Sequence, residues 1–439
     1  MRNNILDRRD FLRLGAAGIA LASVPGLGAC VRDPTTLPRL ALSPNPAHAR
    51  NQVLSHSVHL PVKPGETSAL RGALARGGVF AQATPGVHFA RAALLDARRA
   101  GTDQLALGII YDQRIETALN FLTANGNALD AVLRHCEAYT PGVARDPVAL
   151  RAYFETRTDG KDSYLVPDKL FFTAYDEAEN EVRTCLAVQQ NLLALLREAD
   201  GSSDEALPYL VDRFLLGELP RSRMDDSPRP KRRRDLLPFS PHLTNTLTMV
   251  QPLMQGRMDP KRIVPCSQSR LERIERFAAS HTGFSYQDAF EFILTEGEFA
   301  VKQLHEHPLA SLHTLHFARI AVVEGRMLFA SVYDGDFTQY VLDFGSRVAD
   351  QIDFIWGLTE GYPPEGCRNV PAFIQWIRNG QVDVEDFFAA QTDVTLLQIQ
   401  RTSALRRKLT AFSRSLPVEG RALRAQLSAF ARDNQALLS

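Results

Sequence analysis

The chain has 439 residues, a formal net charge of zero from 50 basic and 50 acidic side chains, and 45% hydrophobic residues. At roughly 150 residues per domain this length predicts two or three domains, and the apolar content excludes a globally disordered chain. The 27 glycines and 25 prolines exclude collagen-like and low-complexity classes. Zero net charge gives no general attraction to nucleic acid, so we expect no nucleic-acid partner.

The first thirty residues resemble a bacterial export signal. Arg8 and Arg9 begin a short basic segment, and an apolar run rich in glycine and alanine follows from Leu14 to Ala29. This run is shorter than the roughly 20 residues that a transmembrane helix needs, and it is similar to the hydrophobic region of a twin-arginine signal peptide. We therefore predict export by the twin-arginine pathway, which carries proteins that fold before they cross the membrane.

Cys30 closes the apolar run in the sequence Leu27-Gly28-Ala29-Cys30. These four residues resemble the lipobox of bacterial lipoproteins, in which the cysteine thiol is acylated and becomes the new N-terminus. Simple cleavage nearby is the alternative. The resemblance implies a periplasmic or membrane-anchored protein whose membrane partner is reached through the N-terminal lipid or signal, so that the chain is anchored to the membrane without spanning it.

Proline-rich polar stretches divide the rest of the chain. Prolines among polar residues mark a tether after Cys30, and proline together with a basic cluster from Lys231 to Arg234 marks a linker near the middle. The predicted segments are a signal at 1–30, a tether at 31–50, a first half at 51–218, a linker at 219–240, a second half at 241–415 and a C-terminal helix at 416–439.

The two halves share short sequences in the same order. A His-Phe-Ala-Arg sequence opens an apolar run in each half, and a Tyr-Asp sequence closes the next apolar run. Two matches in the same order are hard to explain by chance, so we interpret them as an internal repeat. The residues that define the repeat are His88, Arg91, Tyr111, Asp112, His316, Arg319, Tyr333 and Asp334.

Hydrophobic periodicity predicts the same elements twice. In the first half we predict a strand at 52–61, a helix at 66–76, strands at 87–95 and 105–112, a helix at 115–139 and a closing strand at 165–173. In the second half we predict a strand at 245–252, a helical stretch at 269–304 that breaks near Gly283, strands at 315–323 and 327–335, a helix at 337–358 and a closing strand at 394–399.

This order, strand, helix, strand, strand, helix, strand, is the ferredoxin-like α+β unit. Two such units commonly pack with their sheets facing. The chain therefore resembles the dimeric α+β barrel superfamily, fused into one polypeptide. The resemblance implies an α+β fold in which two ferredoxin-like repeats form a barrel, with the helices outside.

The repeated histidine and arginine are three residues apart on a strand. Because side chains alternate between the faces of a strand, His88 and Arg91 point to opposite faces unless a bulge intervenes. The same holds for His316 and Arg319. We interpret the arginine as a fold determinant that bridges sheet to helix through a carboxylate, either Asp112 or Asp334 in its half.

A histidine cluster lies in the second half alone. It consists of His305, His307, His313 and His316. Neutral imidazoles that converge from neighbouring elements are good metal ligands, and Pro308 ends the helix before it can separate the first two. His305 and His307 are therefore candidate metal ligands. The alternative is a polar helix end with scattered histidines.

The α+β barrel superfamily includes dye-decolourising peroxidases and chlorite dismutases, which hold haem in the C-terminal unit. The resemblance implies haem as a cofactor, with a ligand from the histidine cluster and with Arg319 and Asp334 as catalytic groups on the distal side. The sequence departs from the peroxidase pattern, because Ser331 stands where the first glycine of their G-x-x-D-G motif is found.

Three functions follow from these observations. The first is an exported cell-envelope protein that binds a small molecule or a partner without catalysis. The second is a haem-dependent, peroxidase-like oxidoreductase. The third is a non-haem metal site on the histidine cluster. The sequence contains no G-x-S-x-G, P-loop, Rossmann glycine or H-E-x-x-H motif, which disfavours the common hydrolases and nucleotide enzymes.

Overall fold

A computed structural model describes most of the chain. The described residues are 53–80, 85–95, 102–155, 170–175, 177–215, 231–232, 244–263, 268–295, 307–391, 394–416 and 419–438. The predicted export signal, Cys30, the tether and His305 lie outside these residues and remain predictions. Among the described residues, none of the helices has the length and apolarity needed to span a membrane.

The described residues group into two compact units. The barrel unit comprises Arg50–Glu179 and Asp226–Leu397, and the helical unit comprises Asn180–Asp225 and Gln398–Ser439. The borders at 179/180 and 397/398 fall inside the predicted halves, and the border at 225/226 falls in the predicted linker. The reason is that a long helix follows the barrel strands of each half and belongs almost entirely to the helical unit.

The first half begins with the predicted strand and helix. Its strands are β1 (Val53–Pro61), β2 (Val87–Leu95), β3 (Gln104–Asp112) and β4 (Leu170–Thr173). Its helices are α1 (Thr67–Arg76), α2 (Ile115–Ala124), α3 (Gly126–Leu133), α4 (Pro147–Glu155), α5 (Glu179–Gly201) and α6 (Leu207–Leu215). The predicted linker contains a two-residue strand, β5 (Lys231–Arg232).

The second half repeats this order. Its strands are β6 (Thr244–Pro252), β7 (Leu315–Val323), β8 (Arg326–Asp334) and β9 (Val384–Ala389). Its helices are α7 (Gln268–Ser280), α8 (Tyr286–Thr295), α9 (Phe337–Arg347), α10 (Ala349–Trp356), α11 (Val370–Gly380), α12 (Leu396–Ser413), α13 (Gly420–Asp433) and α14 (Gln435–Leu438). The predicted break near Gly283 is confirmed, and this glycine has a φ of +95° between α7 and α8.

Each sheet combines three strands of one half with the closing strand of the other. The strand orders are β1-β3-β2-β9-β5 and β4-β7-β8-β6, and neighbouring strands are antiparallel. Strand β4 also lies beside β1, and β9 lies beside β6, where the Val382 N–H donates to the Thr248 carbonyl at 2.8 Å. The eight longer strands therefore form a barrel, and the predicted α+β class with ferredoxin-like units is confirmed.

The closing strand of the second half lies earlier in the chain than predicted. Strand β9 occupies Val384–Ala389, whereas the predicted strand at 394–399 is the beginning of helix α12. Leu396 and Ile399 are buried while Leu397 is 47% exposed. This spacing of three suits one face of a helix better than the alternation of a strand, so the strand prediction at 394–399 is wrong.

Both sheets carry a helix-covered core on their outer faces. The core of the first sheet includes Leu70, Phe121 and Leu129 from the helices, and the core of the second includes Trp356, Phe344 and Phe290. The inner faces of the two sheets meet inside the barrel. One end of this interior is filled by small and aliphatic side chains, namely Ala93, Leu95, Ala106, Val250, Leu328, Ala330 and Val382.

The helix after each central hairpin is broken at the same place. Asn125 separates α2 from α3, and Val348 separates α9 from α10, where we predicted continuous helices. The buried Asp130 of α3 accepts a hydrogen bond at 2.7 Å from the hydroxyl of Tyr139, which lies nine residues later in the following loop. Asp353 accepts one from the hydroxyl of Tyr362 in the same way. The break therefore belongs to a helix–loop unit that both halves share.

The helical unit has its own core. The side chains that form it are Val188, Leu192, Leu195, Leu207, Phe214, Leu405, Leu423 and Leu427. Arg424 ties two of its segments together, because its Nε donates to the Asp204 carboxylate and its Nη2 donates to the Ser202 carbonyl, each at 2.7 Å. Among the described cysteines, Cys136, Cys185 and Cys367 are buried.

Candidate functional site

A β-bulge brings the repeated histidine and arginine of the first half to one face of strand β2. Val87 pairs with Tyr111 and Phe89 with Ile110, so His88 is the extra residue. The His88 ring packs against Phe317 of the opposite sheet with ring centroids 5.8 Å apart. The Arg91 Nη1 donates to the Thr246 hydroxyl, also of the opposite sheet, at 3.2 Å. Both side chains therefore face the barrel interior.

The second half contains the same bulge at His316 in strand β7. The His316 ring packs against Phe89 at 6.0 Å, and the Arg319 Nη2 lies 3.2 Å from His59 Nε2. These partners again belong to the opposite sheet. Regular alternation predicted that the histidine and the arginine of each half point to opposite faces of the strand. The bulge in each half places both side chains on the inner face instead.

A carboxylate joins each bulge to the start of a long helix. In the first half, His88 Nε2 lies 2.8 Å from Asp112 Oδ1, and Asp112 Oδ2 accepts the Glu179 N–H at 2.9 Å. A carboxylate at the beginning of a helix satisfies a free N–H group and interacts favourably with the helix dipole. Asp112 thus fixes the strand bulge to the N-terminus of α5.

The second half has the same bridge at the same positions. His316 Nε2 lies 2.7 Å from Asp334 Oδ1, and Asp334 Oδ2 accepts the Leu396 N–H at 2.6 Å at the start of α12. We expected an arginine to bridge sheet to helix through these aspartates. The structure shows the bridge with histidine as the partner on the strand, because the bulge turns the histidine toward the carboxylate.

The repeated tyrosines belong to the helix-facing cores. The Tyr111 hydroxyl lies 2.7 Å from His56 Nδ1 on the outer face of the first sheet. Tyr333 stacks on Tyr340 with ring centroids 4.0 Å apart, and the Tyr340 hydroxyl donates to the Ser331 hydroxyl. Burial raises the pKa of both Tyr333 and Tyr340 well above the ordinary range, so both phenols stay neutral. Their role is packing.

The two repeated arginines converge at one point inside the barrel. Arg91 is 7% exposed and Arg319 is 4% exposed. A Cβ atom on Gly108 would lie 3.2 Å from Arg91 Nε and 3.5 Å from Arg319 Nη1. Gly108 therefore leaves space that both guanidinium groups use, and two positive charges face the same small volume.

His59 makes this interior site asymmetric. It lies on β1 in register with Ala106, and the equivalent position of β6 is Val250. Burial first, and then the neighbouring Arg319 charge, lower the pKa of His59 to about 3. The imidazole is therefore neutral at physiological pH and can accept a hydrogen bond from Arg319. His59 and Thr246 are partly exposed, so solvent reaches this part of the inner face.

Aromatic rings line the interior next to the arginine pair. Phe89 and Phe317 occupy equivalent positions of the two halves and meet edge to face at 5.2 Å. Tyr175 packs on Phe317 at 5.1 Å, Phe387 stacks on Phe89 at 6.2 Å, and Phe171 stacks on Phe317 at 6.0 Å. The interior thus combines a cationic centre with an apolar aromatic neighbourhood.

The histidines of the predicted cluster have different surroundings. His307 Nδ1 accepts the Leu309 N–H at 3.1 Å and caps a short 3₁₀ helix at Pro308–Ser311. Its ring packs 4.9 Å from Phe172 on the helix-facing side of the second sheet. His313 is exposed, and His316 faces the barrel interior. The structure does not bring these three side chains together.

No metal centre is present among the side chains that the structure describes, since it places no group of three or more His, Cys, Asp or Glu residues close enough to hold an ion. His305 lies outside the described residues. The metal site at His305 and His307 therefore stays a prediction.

The described residues do not fit a haem. Beside His307, the helix-facing side of the second sheet is filled by the fully buried side chains of Trp356, Tyr340 and Phe344. Asp334, the expected distal acid, uses one carboxylate oxygen for His316 and the other for a backbone N–H. Among the described residues, protein side chains and a backbone N–H therefore occupy both places that the resemblance assigned to haem, so we derive no step through it.

Two of the residues that shape this site were not predicted. Gly108 and His59 break the match between the halves, and a comparison of equivalent strand positions would have found them. The Asp130–Tyr139 contact and its counterpart in the second half recur at a constant separation of nine residues, which is a further repeat signal in the sequence.

Comparisons with known proteins give little guidance. No family model matches the sequence, and no curated protein matches it. Among solved structures, the chain is similar to a protein from Fusobacterium nucleatum subsp. nucleatum that has been proposed to be a monooxygenase. The match has 7% sequence identity and a TM-score of 0.26, and it covers 78% of this chain and 96% of the other. A TM-score this low carries no argument about activity.

Proposed function

We propose that this protein is an exported binding protein of the cell envelope and that a small organic anion binds inside its barrel. One observation carries the proposal: Arg91 and Arg319, from equivalent positions of the two halves, bring their guanidinium groups to the same point above Gly108. An anion at this point would interact with both charges.

The electrostatics of the pair favour an anionic ligand. Two positive charges in one interior repel each other, and burial removes part of the hydration of each. A carboxylate or phosphate group bound at this point would interact with both guanidinium groups. The planar guanidinium also presents paired N–H donors that match the two oxygens of such a group.

The surroundings favour an organic anion with an apolar body. Phe89 and Phe317 lie on the same inner faces as the arginines, two residues away on each strand. Partly exposed His59 and Thr246 lie on the solvent-accessible side of the arginine pair. An aromatic or aliphatic carboxylate could place its charge at the arginines and its body against the rings.

Calorimetry with matched neutral and charged probes tests this proposal. We expect benzoate to bind the purified protein at one molecule per chain and to raise its melting temperature, and we expect benzamide, which has the same size without the charge, to bind at least about tenfold more weakly. Acetate and phosphate complete the panel and show whether the aromatic body matters.

Substitution of the arginines locates the site. Arg91→Met and Arg319→Met should each weaken benzoate binding about tenfold or more, and Arg91→Lys should retain part of it because the charge remains. Arg71→Met is the matched control, since Arg71 is exposed. Equal binding of benzoate and benzamide, or equal loss in the control variant, would contradict the proposal.

Export is the second part of the proposal and is supported by Arg8, Arg9 and Cys30 in the sequence. The double substitution of Arg8→Lys and Arg9→Lys should leave the protein in the cytoplasm of a bacterium with a twin-arginine pathway. Cys30→Ala should remove lipid labelling and release the exported protein from the membrane fraction. Export that is unchanged in the double-lysine variant would refute this assignment.

A further inference from the structure

A second site lies outside the barrel, where helix α3 begins. The break at Asn125 starts a new helix whose leading N–H groups, on Gly126, Asn127 and Ala128, have no acceptor within α3. The Asn125 side chain makes no capping hydrogen bond to them. Free N–H groups and the helix dipole together attract negative charge, although such a terminus alone does not make a site.

A buried amide without a partner adds an independent observation. Asn125 is 9% exposed, and its Nδ2 is buried without a hydrogen-bond partner among the described residues. A buried donor without a partner costs free energy unless a ligand or water satisfies it. Asn125 lines an open cleft of about 380 Å³, together with Thr123, Ala124, Gly126, Asn127, Ala128 and Arg145.

The backbone around Gly126 places an arginine at this cleft. A Cβ atom on Gly126 would lie 2.7 Å from the Ala144 carbonyl oxygen and 3.0 Å from Arg145 Cα. The residue must be glycine for the 3₁₀ helix at Val143–Arg145 to pack against the start of α3. Arg145 is exposed, lines the cleft and makes no ion pair within the described part of the chain.

The second half shows what such a site holds. There Arg368 Nη1 donates to Asp350 Oδ1 at 3.1 Å, and Asp350 lies in the first turn of α10. Asp350 and Arg368 occupy the positions equivalent to Asn127 and Arg145. Both pairs lie at the same distances in sequence from the buried aspartate that anchors the loop of their half, Asp353 or Asp130. The second half thus supplies its own carboxylate to the arginine from the first turn of the helix, and the first half has an uncharged amide in its place.

We propose that the cleft at the start of α3 binds a phosphate group, held by the leading N–H groups of α3, the Asn125 amide and the Arg145 guanidinium. The group takes the position that the Asp350 carboxylate has in the second half. Three backbone donors, an amide and a guanidinium are more donors than two carboxylate oxygens can use, and they suit the three terminal oxygens of a phosphate. This site is separate from the interior arginine pair.

The phosphate could belong to a small phosphoester or to a phospholipid headgroup. Calorimetry with inorganic phosphate and glycerol phosphate tests the first source. Sedimentation with vesicles of phosphatidylglycerol, compared with vesicles of phosphatidylcholine, tests the second. Both measurements use the purified chain from residue 31, so that no lipid anchor contributes.

Exchange of the two equivalent positions provides the decisive variants. Asn127→Asp gives the first half the carboxylate of the second, so it should weaken phosphate binding about tenfold or more. Asp350→Asn frees Arg368 and the start of α10, so it should add a second phosphate per chain, bound more weakly because Val348 stands in the place of Asn125. Arg145→Gln should weaken binding by a similar factor, and Arg151→Gln, at an arginine that does not line the cleft, should not.

With benzoate present to occupy the interior arginine pair, the expected result is one phosphate per chain in the unaltered protein, none at the same concentration in Asn127→Asp, and a second, weaker one in Asp350→Asn. Benzoate binding should be the same in Asn127→Asp, Asp350→Asn and Arg145→Gln as in the unaltered protein, which separates this site from the one proposed inside the barrel. Phosphate binding that survives both Asn127→Asp and Arg145→Gln, or an absence of phosphate binding in the unaltered chain, would overturn the inference.

Discussion

At the scale of single residues, the neighbours of a side chain decide its chemistry more than its type does. His59 and His313 are both histidines, yet one lies inside the barrel beside Arg319 and the other is exposed. Burial and the Arg319 charge keep the pKa of His59 near 3, which is far below the 6.5 of an ordinary histidine. His59 therefore stays neutral over the whole physiological range.

This pKa predicts an acid-sensitive fold. Between about pH 6.5 and pH 3 the unfolded chain binds a proton on residue 59 that the folded chain does not bind, so the folded state loses stability as the pH falls through this window. We expect the loss to reach up to about 1.4 kcal/mol per pH unit, and His59→Gln should make urea-unfolding midpoints measured between pH 7 and pH 5 less dependent on pH. His313→Gln is the control, and an equal effect of both substitutions would contradict the prediction.

Asp130 provides a second prediction at this scale. Burial alone would raise its pKa, but hydrogen bonds from the Gly142 N–H, the Tyr139 hydroxyl and Arg134 lower it below the ordinary value. Asp130→Asn removes a buried charged acceptor and should cost about 1–3 kcal/mol of unfolding free energy at pH 7. The difference should shrink as the pH falls below about 4, because the unfolded chain then binds a proton on residue 130 that the folded chain, with its lowered pKa, does not yet bind. Thermal melts of this variant beside the exposed Asp433→Asn test both statements.

At the scale of elements, the breaks in the helices and the bulges in the strands carry the site. The bulges at His88 and His316 turn these side chains into the interior, and the aspartates that receive them also fix the start of α5 and α12. Each bulge shifts the alternation of side chains along its strand by one residue. They recur in both halves, which supports the predicted internal repeat.

The start of α3 gives a prediction for an element. Gly126→Ala places a Cβ atom 2.7 Å from the Ala144 carbonyl oxygen, so the 3₁₀ helix must move away. We expect a loss of about 1–3 kcal/mol together with weaker phosphate binding. Gly72→Ala is the control, because Gly72 lies within α1 and its added Cβ would meet only an arginine side chain at 3.9 Å. It should be neutral or should stabilise the protein by up to about 1 kcal/mol.

At the scale of the whole barrel unit, the two halves depend on each other. Each closing strand pairs with the sheet of the other half, and Phe89 meets Phe317 between the sheets. Neither sheet is complete without a strand from the other half. We therefore expect the barrel unit to unfold in one step.

A double-mutant cycle at Phe89 and Phe317 tests this dependence. Phe89→Ala and Phe317→Ala should each cost about 3–5 kcal/mol. Together they should cost less than the sum, by about 0.5–1.5 kcal/mol, because the second substitution removes a contact that the first has already broken. Milder Phe→Leu substitutions keep the cycle measurable where the alanine variants fail to fold. Strict additivity in urea unfolding would show that the two rings are not coupled.

The sequence by itself determined the order of elements and the fold class. Strand and helix periodicities and the matched sequences at His88 and His316 were sufficient for two ferredoxin-like units, because apolar spacing is a local property of the chain. The closing strand of the second half was misplaced, because the short, partly acidic segment that forms β9 has a weaker pattern than the start of α12.

Only the tertiary structure decided what the candidate site residues do. Spacing along a strand could not show that a bulge turns His88 toward Asp112 and leaves Arg91 and Arg319 to meet above Gly108. It also could not show that Gly126 lets Arg145 reach the start of α3. Contacts between residues far apart in sequence depend on the packing of whole elements, and neither alternation nor composition encodes that packing in a form that can be read locally.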